Sequence, residues 1–249
     1  MGMDDLSLLR LQMEWGADEA LDDAPVDRLR APVPASNPPP RPRPVPVALA
    51  PSGTPAERAL RVAAQAGTME ELKAAIMRFE GDPLRDMASN LVFASGNPAA
   101  ELLLIGGAPG AGDDRSGVPF SGPEGALLDQ MLASVGLTRD AMLLSPLIPW
   151  RPPGGRVPSS GEIQLYRPFL MRMIALAAPE RIVLFGTLAA GTVLGSATRP
   201  RSIGWIEAAV DGRPVQVLVL PALAEIMKTA TRRRDAWAGM RALRRVVAG

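Results

Sequence analysis

The sequence contains no cysteine and no histidine. Without cysteine there is no disulfide, no thiolate nucleophile and no cysteine-held zinc or iron–sulfur site. Without histidine, the commonest general base and the commonest metal ligand are both missing. Any chemistry must therefore rest on carboxylates, Lys, Arg, Ser, Thr, Tyr or backbone amides. Aromatic residues make up only 4% of the chain, so one placed inside a motif stands out. No apolar run approaches the ~20 residues of a membrane span. Acidic Asp4 and Asp5 stand where a secretory leader would be basic. These absences lead us to expect a cytoplasmic protein with no membrane partner and no metal.

What is present supports one sizeable core: 249 residues, 47% of them apolar. The net charge of +1 conceals an asymmetry between the halves. Residues 1–150 carry 12 basic and 20 acidic side chains, whereas residues 151–249 carry 15 basic and 6 acidic. A basic C-terminal half suits an anionic partner such as nucleic acid. On charge alone, a set of solvated helix faces fits equally well.

Three regions follow along the chain. Residues 1–24 hold a short amphipathic helix over 4–15 (DDLSLLRLQMEW), with Leu6, Leu9 and Met13 on one face. From Pro25 to Pro55 the chain holds 11 of its 26 prolines, so 25–55 reads as an extended, disordered linker. Residues 56–249 form the folded domain. There, strand-like runs at 102–106, 142–148, 181–185 and 215–220 alternate with helix-like runs at 123–135, 160–177, 187–194 and 232–247. Such alternation predicts an α/β domain with a mostly parallel sheet. Its ligands belong at the C-terminal strand ends, where the loops 106–122, 146–160 and 220–231 would converge.

The stretch "GGAPGAGDDRSGVPFSGPEG" (106–125) reads as a long glycine-rich loop between a strand and a helix. It is not a dinucleotide fingerprint, because no G-x-G-x-x-G can be drawn through it. Nor is it a P-loop, since Asp113 follows Gly112 where Lys-Ser/Thr is required.

Five blocks in order resemble the family 4 uracil-DNA glycosylases: "NLVFASGNP" (90–98), "APGAGDDRSGVPFSGPEGALLDQML" (108–132), "RPPGGRVPSSGEI" (151–163), "RPFLMRMIALAAP" (167–179) and "GTLAAGTVLG" (186–195). The resemblance implies a three-layer α/β/α sandwich around a four-stranded, mostly parallel sheet. It also implies base-excision chemistry on DNA. Uracil is flipped out, stacked on an aromatic ring and read on its Watson–Crick edge. A carboxylate positions the attacking water, and a donor supports the departing uracil anion.

Matched residue by residue, some of that machinery is present. Phe120 takes the stacking position. The loop amides around Ala108, Pro109 and Gly110, with Asp113 and Asp114, match the family loop. The rest departs from the pattern. Gly107 stands at the acid position, Pro146 at the asparagine that reads uracil, and Leu220 at the histidine that supports the leaving group. The four cluster cysteines align with Phe79, Asp82, Trp150 and Tyr166, so the family's iron–sulfur cluster is expected to be absent and an apolar cluster to fill its space.

Three functions remain open on these residues. The first is a pseudoenzyme candidate that binds DNA without sequence preference and excises uracil weakly or not at all. Arg151, Lys228 and Arg232, Arg233 and Arg234 would contact DNA, with Arg241, Arg244 and Arg245 further along the last helix. The second is an active glycosylase with a rearranged site, Asp113 or Asp114 positioning water and Lys228 or Arg151 supporting the leaving base. The third is a non-enzymatic interaction module that recruits a protein through residues 4–15.

Overall fold

The computed structural model describes residues 53–195 and 203–247. The helix expected over 4–15 and almost all of the linker expected over 25–55 lie outside them. All of the described residues fall within one unit that begins at Leu49.

Local signals start the helices. Thr54 and Glu57 form a reciprocal capping box for α1 (Pro55–Gln65), and Thr68 caps α2 (Met69–Arg78) by accepting from Glu71 N–H. After a short edge strand β1 (Ser95–Gly96) come β2 (Leu102–Ile105), α3 (Ala111–Ser116), α4 (Pro123–Ser134) and β3 (Leu143–Ser145). Then follow α5 (Ser160–Ala177), β4 (Arg181–Phe185), α6 (Thr187–Leu194), β5 (Trp205–Val210), β6 (Arg213–Leu220), α7 (Leu223–Lys228) and α8 (Ala230–Val247).

The sheet has six strands in the order β1-β3-β2-β4-β6-β5. Its centre, β3-β2-β4-β6, is the expected four-stranded parallel array, and β1 and β5 add antiparallel edges. Strand alternation divides the core in two. Leu103, Ile105, Leu143, Ile182, Leu184 and Val217 face one cluster, built with α1, α2, α5 and α6. Leu102, Leu104, Leu144, Val183, Phe185 and Leu218 face the other, built with α4, α7 and α8. Helices on both faces of a mixed sheet make the three-layer α/β/α sandwich.

The structure refines the sequence reading in three places. The 106–122 loop contains a helix, α3, and the 220–231 loop contains α7. Edge strand β5, half-exposed and lacking an apolar run, escaped the periodicity search. Its signal was the dipeptide Asp211-Gly212, whose φ angles of 51° and 76° form the two-residue turn between β5 and β6.

Candidate active site

The C-terminal ends of β2, β3 and β6 open onto one cavity of about 990 Å³. Gly107, Ala108, Gly110, Asp113, Phe120, Pro146 and Lys228 line it, so seven of the residues singled out in the sequence meet there. The others are not among its lining residues. Pro109 is buried beside it, and Leu220, 2% exposed, lies in the apolar core. Asp114 and Arg151 are occupied elsewhere or turned into the protein, as described below. The exposed Arg232, Arg233 and Arg234 sit on α8.

The floor of the cavity is backbone. Gly106 N–H donates to Ser145 C=O at 2.9 Å, and Leu147 N–H donates to Gly107 C=O at 2.9 Å. These bonds flank Pro146, so its missing N–H costs the sheet nothing and the chain runs on undistorted. A Cβ at Gly107 would meet no atom within 4 Å, which leaves open the position matched to the family acid.

The rim is α3. Asp113 accepts from Gly110 N–H at 2.8 Å and from Ser121 N–H at 2.6 Å, so one carboxylate caps the helix and ties it to the 121–122 segment. Asp114 points the other way. It is buried, accepts from Ser89 N–H at 2.8 Å and Asn90 N–H at 3.3 Å, and anchors the loop to the 88–92 segment. Both acids are therefore held by backbone amides, which accounts for two acidic residues inside a glycine-rich stretch.

Phe120 forms the wall. It is only 8% exposed and has a left-handed φ of 58°, a conformation that costs ~1–3 kcal/mol and persists only where the surroundings impose it. The surroundings do. Arg139 Nη2 donates to Phe120 C=O at 2.7 Å, and Asp129 holds the same guanidinium at 2.6 Å. Two glycines make room: a Cβ on Gly106 would fall 2.7 Å from the Phe120 ring, and one on Gly125 would fall 1.7 Å from its carbonyl oxygen. Gly106 and Gly125 are thus explained by the ring they accommodate.

Two side chains at the cavity were missed in the sequence. Arg139 acts through contacts nearly 20 residues away, and no local signal marks it. Glu124 lines the cavity beside Asp113 and Lys228. Burial, and secondarily the Asp113 carboxylate, raise its pKa above the ordinary carboxylate value, with Lys228 opposing. No hydrogen bond engages it among the described residues. Its available signal was an acid directly after Pro123, at the start of α4.

The positions matched to the cluster cysteines do come together. Phe79, Trp150 and Tyr166 belong to one buried cluster, with the Phe79 and Phe169 rings edge-to-face at 5.4 Å. The Tyr166 hydroxyl donates to Asp82 Oδ1, while Asp82 Oδ2 and Trp150 Nε1 make no hydrogen bond among the described residues. Burial first, then Asp82, drives the Tyr166 pKa far up, so the phenol stays protonated. Rings occupy this space and no thiolate is available, so the residues do not fit an iron–sulfur cluster. Nearby, Arg151 turns its Nε into the protein, also without a partner among the described residues.

Among the described residues, no helix is long and apolar enough to cross a membrane, and no group of three acidic residues is placed to hold a metal ion. Residues 93–241 match the profile of the uracil DNA glycosylase superfamily. The chain is similar to the type-4 uracil-DNA glycosylase of Pyrobaculum aerophilum, 29% identical over 170 residues, spanning 62% of this chain and 87% of that protein. It is also similar to those of Sulfurisphaera tokodaii, at 35% over 48% of this chain and 54% of that protein, and Archaeoglobus fulgidus, at 34% over 49% and 62%. Fold, ordered sequence blocks and a cavity walled by Phe120 all agree with that match: the chain belongs to the uracil DNA glycosylase superfamily and is similar within it to type-4 enzymes.

Proposed function

We propose that the protein binds DNA without sequence preference and excises uracil very weakly or not at all. The observation that carries this reading is the empty space beside Gly107, where the family acid would position water. Pro146 brings no side-chain donor to the cavity, and Leu220 is buried. Loss of a general base costs ~10²–10⁴ in rate, and loss of an anion-supporting donor ~10²–10³. A site that no longer hydrogen-bonds its substrate loses ~10⁴–10⁵ in discrimination. These factors do not simply multiply, yet together they leave little of the family mechanism. Binding is supported by the basic C-terminal half, and it should weaken steeply with salt.

The test is single-turnover cleavage of a uracil-containing oligonucleotide, single- and double-stranded, with protein in excess. Wild type runs beside Gly107→Glu/Pro146→Asn and beside the triple variant that adds Leu220→His; the double variant spares the core that Leu220 fills. No excision by wild type, with activity gained in either variant, is the expected outcome. Excision by wild type overturns the reading.

One observation favours a second reading, an active glycosylase with a relocated acid. Glu124 lines the cavity, its pKa is raised, and no hydrogen bond holds it, whereas Asp113 and Asp114 are engaged by backbone amides. In that reading Glu124 positions water and Lys228 supports the departing base. Loss of wild-type excision in Glu124→Gln, with DNA binding intact, is the outcome it requires.

A further inference from the structure

The outer face of α8 combines features that the cavity does not use. Ala236, Gly239, Met240 and Leu243 turn inward, and Gly239 fits so closely that a Cβ there would fall 2.0 Å from Leu220 Cδ2. Trp205 Nε1 donates to Ala242 C=O at 3.1 Å and pins the helix to β5. α8 is therefore rigidly mounted. On its outer side, Trp237 is 50% exposed, the one large apolar side chain exposed along this helix among the described residues.

Helical spacing surrounds that indole with positive charge. Arg233 and Arg234 lie one turn before it, Arg241 one turn after, and Arg244 and Arg245 one turn further. All five are exposed, and none has a carboxylate within ion-pair distance among the described residues. Arg232 is the exception, shared between Glu225 at 3.7 Å and Asp235 at 3.5 Å.

We propose that this face is a binding platform for single-stranded nucleic acid, with a base stacked on Trp237 and the flanking phosphates held by Arg233, Arg234, Arg241 and Arg244. An exposed ring offers a sequence-tolerant surface for any base, and guanidinium groups on both sides follow the backbone. A second copy of the chain is disfavoured, because it would set five guanidinium groups against five. A lipid surface is disfavoured because an interfacial helix needs an apolar face, and here one side chain supplies it. The platform rests on the DNA-binding reading above and adds a strand preference and a residue to it.

The experiment uses the full chain and a labelled oligothymidylate of about 20 nucleotides, longer than the ~4–16 that single-strand binding folds occupy. This probe contains no uracil, and a duplex of equal length is the comparison. Fluorescence anisotropy gives affinity, and tryptophan emission reports stacking. Tighter binding of the single strand with quenched emission is expected. Trp237→Ala should weaken binding about 5- to 150-fold, the range of one stacked base. Trp237→Phe should retain affinity within about threefold while losing the quench, since a phenyl ring still stacks. Arg241→Ala should reduce the slope of log affinity against log salt by about 0.7, one phosphate contact to a single strand.

Three results overturn the platform alone: duplex binding without single-strand binding, Trp237→Ala binding as tightly as wild type, or Trp237→Phe losing as much as Trp237→Ala. A dimer in sedimentation that Trp237→Ala dissociates also overturns it, assigning the face to a second copy. If wild type binds neither strand form, the DNA-binding reading fails with it.

Discussion

The corner holding Phe79, Asp82, Trp150 and Tyr166 and the cavity mouth holding Gly107 and Pro146 are the two places where the resemblance implies a departure from the family pattern, and they are built in opposite ways. At the corner, three of the four positions matched to cluster cysteines carry large rings that pack, and the fourth, Asp82, accepts buried hydrogen bonds from Tyr166 Oη and Leu84 N–H. At the cavity, the position matched to an acid carries no side chain, and the space beside it stays open. Groups that brace a fold must be replaced in volume, because an unfilled interior forfeits contacts. A group that performs chemistry can be deleted without structural cost when it faces a cavity. Phe120 lies between the two cases: it faces the cavity, yet its backbone is clamped by Arg139.

The comparison breaks most directly at Phe79. Phe79→Ala should lower unfolding free energy by about 3–5 kcal/mol in urea titration, since it removes a buried ring and leaves a cavity. A loss below about 1 kcal/mol would mean that the corner is not braced by its rings. Arg139→Met comes next, at about 1.5–3 kcal/mol, because it strips charged hydrogen bonds from the Phe120 and Pro119 carbonyls. That result would show a cavity with a rigid wall around an empty position.

Glu162 sharpens the corner from a different side, since its capping box with Ser159 starts the helix bearing Tyr166 and Phe169. Arg156, foremost, and Ser159 hold its carboxyl at about 2, against an ordinary value of 4.5. A depressed carboxylate contributes stability above its unfolded pKa and loses it as pH falls from about 4.5 through about 2. Glu162→Gln should cost about 1 kcal/mol at pH 7, modest because Arg156 is half exposed. It should also flatten the acid limb of a stability–pH curve below pH 4.5. The smallest effect belongs to Gly107→Ala, within about 1 kcal/mol of wild type and stabilising if anything, through a less flexible unfolded chain. A large loss in thermal melting would mean that the position is not open.

Much of the fold was legible in the chain itself. The four parallel strands announced themselves as short apolar runs, because strands buried on both faces need side chains of one kind. The caps Thr54, Thr68 and Ser159 act through bonds made within three residues, so they are local features of the chain. The absence of cysteine and histidine ruled out whole classes of chemistry before any geometry was known. The ordered blocks from 90 to 195 identified the family and placed Phe120 in the site.

What the tertiary structure alone decided concerns contacts between distant residues. Asp113 and Asp114 are adjacent, and nothing local distinguishes them. Only the packing of 88–92 against α3 commits Asp114 to Ser89 and Asn90 and leaves Asp113 on the cavity rim. Likewise, only the packing brings Arg139 to the Phe120 carbonyl, and only burial of Gly239 and Met240 fixes which face of α8 is covered and leaves Trp237 exposed. Local sequence sets backbone preference and hydrophobic period, which are properties of a few neighbouring residues. Which polar group meets which partner, and which ring stays in water, depends on how whole elements pack.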